Sequence, residues 1–256
     1  MRLILEDVVK KIILFAIFVA PFGAQILAIP TPVGKLSLFR IAILLALMLF
    51  FVEGRRNGGH KWKLTKLKNR YSVLFMLFWL TYAFFSVGWA MDISEWIRAM
   101  FFIFVGVATV VLLSNYFVDK RYIVKALCAF QCGVIPQIVW GWHDALTKDY
   151  LLEVSQSHIQ NAFRTTFACP IACQSNPNDF ATLMFVGFFV TIMCYIFTEN
   201  KCWRAVLIAC GCSEVILLIF TLSRANYLGV MMSFAFLLMV VNLRKTLWYF
   251  IFEGLT

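Results

Sequence analysis

Phe220-Thr221-Leu222-Ser223-Arg224-Ala225-Asn226-Tyr227-Leu228-Gly229 is a short polar break between two apolar runs, residues 203–220 and 227–241. A guanidinium cannot shed its charge and is costly to hold near hydrocarbon, so an arginine here belongs where two membrane helices turn. The stretch therefore reads as a tight connection between two spans, and Arg224 is the first functional suspect. Ser223 and Asn226 put polar partners close to it.

Crossing the hydrocarbon core takes about 20 mostly apolar residues. Outward from the turn, eight runs qualify or nearly do: 12–29, 36–52, 71–87, 97–116, 123–142, 180–197, 203–220 and 227–241. A ninth opens at Leu247 and stops at Phe252, and Glu253-Gly254-Leu255-Thr256 closes the chain. That ending in mid-helix leads us to expect a fragment or a product cut short. At 62% hydrophobic and 14% charged residues, the 256-residue chain has more apolar surface than a soluble globule buries. The expected fold is all-α: a polytopic integral membrane bundle of about eight transmembrane helices plus a truncated ninth, one domain over residues 1–256. No fixed-period repeat or low-complexity linker interrupts it, and no small-residue cleavage site follows the first run, which is read as an uncleaved span.

The net charge is +10, but Lys and Arg sit in short gaps between apolar runs and form no stripe on a folded face. This distribution speaks for the positive-inside rule and against nucleic-acid binding. Arg55, Arg56, Lys61, Lys63, Lys66, Lys68 and Arg70 mark the second connection as cytoplasmic, and alternation from there puts 17 of the 23 basic residues inside. Lys35, Arg40, Arg98, Lys148, Arg164 and Arg224 remain on or near the outer side. Trp89, Trp96, Trp140 and Trp142 fall at outer ends, Trp62, Trp203 and Trp248 at inner ones, where amphipathic rings prefer to sit. The long connection 143–179 is expected outside, with most of the outer polar residues.

Most cysteines lie in apolar runs and act as small hydrophobes. Cys169 and Cys173 lie in the outer connection, where their spacing admits a disulfide only in some local conformations. Arg40 and Arg98 can simply snorkel to the headgroups, and Asn176-Pro177-Asn178-Asp179 has the pattern of a helix cap, with a positive helix end that also suits an anion. Glu214, in the middle of the seventh run, is about ten residues and on the order of 15 Å below Arg224; it reads as structural, with Arg40 as its expected partner. There is no phosphate-cradling glycine loop, no nucleophile elbow and no histidine pair at metal-ligand spacing, so no metal or other cofactor is expected.

Ser86…Trp89-Ala90…Asp92, Asn176-Pro177-Asn178-Asp179-Phe180-Ala181 and Thr221-Leu222-Ser223-Arg224, in this order among the spans, resemble the N-terminal portion of the O-antigen ligase and polymerase superfamily. Each motif is short, and their order and spacing carry the likeness. The resemblance implies a metal-independent, inverting glycosyltransferase in the bacterial cytoplasmic membrane. It implies an undecaprenyl-diphosphate-linked glycan as donor and a glycan, lipid or protein hydroxyl as acceptor, at the outer face. Arg224 matches the family's arginine in this turn and inherits its role of holding the departing diphosphate, for which a guanidinium fork is suited. Arg164, Ser223, Asn176, Asn178 and Arg40 are the candidate substrate-binding residues beside it.

Members of that family continue into a large extracytoplasmic loop with another essential arginine and a histidine; this chain ends earlier and is expected to be inactive alone. His143 or His158 would have to replace that histidine as base. Two other classes stay open: a transporter or flippase built around Glu214, Pro136, Gln131 and Gln137, although no second structural half is evident, and a non-catalytic membrane subunit.

Overall fold

The computed structural model describes residues 2–23, 28–31, 34–56, 70–150 and 167–253, the backbone alone at 2–4, 31, 34, 56 and 241–253. Eight α-helices occupy the places of the eight apolar runs: α1 (Arg2–Val19), α2 (Leu38–Arg56), α3 (Arg70–Phe85), α4 (Ile93–Tyr116), α5 (Lys120–Thr147), α6 (Pro177–Phe197), α7 (Lys201–Phe220) and α8 (Arg224–Glu253). Short 3-10 turns extend α1 (Ala20–Phe22) and α3 (Ser86–Trp89). Five stretches, Arg70–Trp89 and α4 to α7, are long and apolar enough to cross a membrane. The chain is thus a multi-pass membrane protein. The other three helices are limited by Glu6, Asp7, Lys10 and Lys11 in α1, by Arg40, Glu53, Arg55 and Arg56 in α2, and in α8 by the shorter apolar part Arg224–Val240.

Two features depart from the sequence reading. The first run does not stay helical to residue 29: an antiparallel hairpin of β1 (Ala28–Thr31) and β2 (Gly34–Ser37) pairs Ile29 with Leu36 and Pro30 with Lys35. Pro21 lacks the amide a helix interior needs and Gly23 takes φ 64° just after it, so the helix stops before the hairpin and the fold is not purely α. The ninth run, in turn, starts no helix of its own, because α8 is continuous to Glu253. Between Val240 and Leu247 there is neither proline nor glycine to stop it.

Helix α5 is the centre of the bundle. It packs on α1, α6 and α7; α1 pairs with α2, α2 with α4, α6 with α7, while α3 lies on α4 and α8 on α6. One apolar core joins α1, α2 and α4 around Ile13, Ile43 and Leu112, and a second joins α5, α6 and α7 around Phe180, Met184 and Leu217. Glycines set the closest approaches. At Gly133 a Cβ would stand 2.1 Å from the Phe18 carbonyl oxygen, and at Gly141 2.5 Å from the Phe180 ring, so α1 and α6 reach α5 only because these side chains are missing.

The ends expected to be cytoplasmic share one end of the bundle. Lys10 of α1 lies over Tyr122 of α5, Lys120 over Phe197 at the end of α6, and Tyr116 donates to Glu53 at 2.5 Å. At the opposite end, Gln174 Nε2 donates to the Pro21 carbonyl, so the approach to α6 meets the end of α1, and Asn226 reaches Asn178, so the start of α8 meets the start of α6.

Glu214 is fully buried, and its partner is not Arg40. Gln131 Nε2 donates to its Oε1 at 2.9 Å, and Thr191 Oγ1 lies 3.1 and 2.9 Å from its two oxygens. These partners come from α5 and α6, so the carboxyl group ties three helices at mid-depth. Replacing Glu214 by Gln turns one acceptor oxygen into an NH₂ facing the Thr191 hydroxyl or the Gln131 amide. Loss of about 1–2 kcal/mol is expected, read as a lowered unfolding midpoint in detergent; an unchanged midpoint would show that the tie contributes nothing.

Candidate functional site

The turn that carries Arg224 is three residues long. Helix α7 ends at Phe220, the Thr221 amide closes onto Leu217 and Leu218, and the Thr221 hydroxyl donates to the Leu218 carbonyl at 2.6 Å. Leu222 then adopts the left-handed conformation at φ 55°, which costs a non-glycine residue on the order of 1–2 kcal/mol. Ser223, 3% exposed, gives its carbonyl to the Tyr227 amide as the first bond of α8. With no slack in the turn, the start of α8 is fixed relative to the end of α7, and Arg224 stands exposed as the first residue of the helix.

Helix α6 begins beside it. Asn176 caps α6 by accepting from the Asp179 amide at 2.9 Å, and Pro177 takes the first helical position, where its missing amide costs nothing. Asp179 accepts in return from Ser175 Oγ at 2.6 Å and Asn176 Nδ2 at 2.7 Å. Asn226 laces the two helix starts together: its Nδ2 donates to Ser223 Oγ at 2.9 Å and to the Asn178 carbonyl at 3.4 Å, while Thr182 Oγ1 lies 3.2 Å from its Oδ1. Two positive helix ends therefore converge, and α8 carries no acid in its first turn to offset its own. Among the described residues, nothing pairs with the Arg224 guanidinium by ion pair or hydrogen bond.

Aromatic rings form the neighbouring wall. Phe220 stacks on Phe167 at 5.0 Å between centroids and meets Trp142 of α5 edge-on at 6.0 Å. Behind them residues 168–173 of the long connection between α5 and α6 are not a solvated loop. Ala168 to Cys173 are buried against α5, where Asp144 Oδ2 accepts from the Ile171 and Ala172 amides at 3.1 and 2.6 Å and Gln137 Oε1 from the Cys173 amide at 3.3 Å. This buried strap delivers the chain to the start of α6. Cys169 and Cys173 within it are free thiols, so the disulfide is not formed. Burial pushes Cys169 up and Cys173 up to about 11, and burial together with the charge of Asp144 takes Tyr150 up to about 12; none of them is a nucleophile near neutral pH.

The expected site residues separate into groups. Arg224, Ser223 and Asn178 come together, and Asn176 shapes the start of α6 while its own side chain is taken up in the cap. Arg40 is elsewhere: it lies 4.3 Å over the Phe102 ring and donates to the Lys35 carbonyl, among α1, α2 and α4. Arg98 pairs with Glu95 at 2.7 Å on the surface, and Asp92 caps α4. His143 is half-exposed at the end of α5 with Thr147 for neighbour. Arg164 and His158 lie outside the described residues. Thr182 and Asp144 were missed by sequence reasoning; Asp144 sits in a polar stretch, His143 to Asp149, that reads as loop.

No family model and no solved structure matches the chain. The chain is similar to the teichuronic acid biosynthesis protein TuaE of Bacillus subtilis. The two are 22% identical over 207 residues, 81% of this chain and 42% of TuaE. It thus spans less than half the length of that relative, and the matched part covers most of the bundle.

Proposed function

We propose that this chain is the donor-holding part of a membrane glycosyltransferase of cell-surface polysaccharide synthesis, resembling the O-antigen ligases and polymerases. The carrying observation is the guanidinium of Arg224, unpaired among the described residues, at the joined starts of α6 and α8. The likeness to a protein of teichuronic acid biosynthesis supports the same area of envelope chemistry. All eight helices are read as crossing, with Arg224 on the outer face of the bacterial cytoplasmic membrane.

The donor is an undecaprenyl-diphosphate-linked glycan. An acceptor oxygen, from a glycan, lipid or protein, attacks the anomeric carbon opposite the diphosphate; the bond from that carbon to the phosphate oxygen breaks, and its electron pair ends on the diphosphate. That growing charge is what Arg224 holds, with the backbone amides of the two first turns beside it. Ser223 and Asn178 fix the guanidinium's surroundings through Asn226, and Arg164 is a second arm for the same charge. The acceptor's proton passes to a base outside this cluster, which the family resemblance places, as a histidine, in a later extracytoplasmic loop of a longer protein. Glycan transfer in cells that depend on this protein, with Arg224 intact and replaced, tests the reading.

A further inference from the structure

Arg40, another arginine of the end read as outer, borders a cavity. Some 290 Å³ open between the end of α1, the start of α2 and the middle of α4, with Gly23, Ser37, Arg40, Phe102 and Gly106 in the wall. Among the described residues, Arg40 is the only charged one lining it. One guanidinium nitrogen donates to the Lys35 carbonyl and the planar group rests on the Phe102 ring, which fixes its plane; among the described residues no carboxylate lies within ion-pair reach of it. The remaining N–H groups have no acceptor among the described residues.

The rest of the wall points the same way. Ser37 is 4% exposed and caps α2, its Oγ 3.5 Å from the Arg40 amide, which leaves the hydroxyl proton to donate. Helix α2 has no acid in its first turn, so a guanidinium and a positive helix end reinforce one another at the same open cavity. Nothing stands within 4 Å of where a Cβ on Gly106 would be, so that side is open. About 300 Å³ is the lower bound for pockets that hold whole small molecules, which fits a headgroup and is too small for a glycan repeat.

We propose that this cavity binds a phosphate group through Arg40 and Ser37, separately from Arg224. The phosphate is carried by a membrane lipid headgroup or is free inorganic phosphate; both offer the oxygens that a planar guanidinium fork and a hydroxyl match. This inference does not depend on the glycan-transfer reading, since α1, α2 and α4 build the cavity and α6 to α8 build the turn.

Native mass spectrometry of the 256-residue chain in detergent tests it, all variants being made in an Arg224→Gln background so that the α8 turn does not contribute. With phosphatidylglycerol as probe, one lipid should be retained, and Arg40→Gln should weaken retention about tenfold. Arg98→Gln, at another outer arginine, should change nothing. Arg40→Lys, which keeps the charge and loses the fork, should fall between, and it replaces Arg40→Gln if that variant does not fold. Diacylglycerol, which lacks the phosphate, should not be retained. Displacement of the lipid by millimolar inorganic phosphate would identify free phosphate as sufficient; its persistence would identify the lipid headgroup as the ligand. Equal retention by the Arg40 variants, or of diacylglycerol and phosphatidylglycerol, overturns the proposal.

Discussion

Arg224→Lys is expected to lower glycan transfer about 100-fold or more while the protein still inserts and folds. Removing one preorganised donor from a site of developing charge costs roughly 100- to 1,000-fold in rate, and lysine keeps the charge but not the two-pronged geometry. Arg224 is exposed and unpaired among the described residues, so its replacement removes no packing and no bond within the bundle. The check is polymer yield and length in a cell that relies on this protein alone, beside its membrane level. The lipid-linked donor should accumulate. Normal polymer from the lysine variant would separate Arg224 from the chemistry.

Gly133→Ala is expected to be the most damaging small change in the bundle. The new Cβ would stand 2.1 Å from the Phe18 carbonyl oxygen and 3.1 Å from Pro21 Cγ, and a carbonyl oxygen held in a helix cannot swing aside as a side chain can. Helices α1 and α5 would have to separate, at a cost of about 3 kcal/mol. Gly211→Ala is the matched control: its Cβ would meet Thr191 Cγ2 at 3.4 Å, an ordinary contact, and alanine is the better helix former. Unfolding midpoints in detergent should fall sharply for the first and hold or rise slightly for the second. Equal midpoints would contradict the close approach of α1 to α5.

Helix positions were legible because crossing a membrane forces a long apolar run on a helix, and each of the eight runs overlaps a helix, although the first runs past α1 into β1 and the second opens in β2. Their limits were less so. Helix α1 starts ten residues before its run because the charged opening is held in helical pairs, Glu6 with Lys10 at 2.9 Å and Asp7 with Lys11 at 2.7 Å; the i,i+4 spacing was there to be seen. Partners far apart in the chain were not legible. Glu214 needed a partner inside the bundle, and only three-dimensional packing selects Gln131 and Thr191 over Arg40. The site divides the same way. Ser223, Arg224 and Asn226 share one helical turn, so their proximity follows from spacing, whereas Asn178 joins them across 48 residues through the packing of α6 on α8. The buried strap of residues 168–173 was not legible either, because its anchors, Asp144 and Gln137, belong to another helix.

The proposed role of the turn requires Arg224 to present its side chain to the exterior. Arg224→Cys, probed in intact cells with a membrane-impermeant maleimide, tests it most directly, with the unsubstituted protein as background and Cys202, at the basic end of α7, as the cytoplasmic reference. Labelling at position 224 before the cells are permeabilised is the expected result. Labelling only after permeabilisation, together with Cys202, would place the turn on the cytoplasmic side and contradict the account.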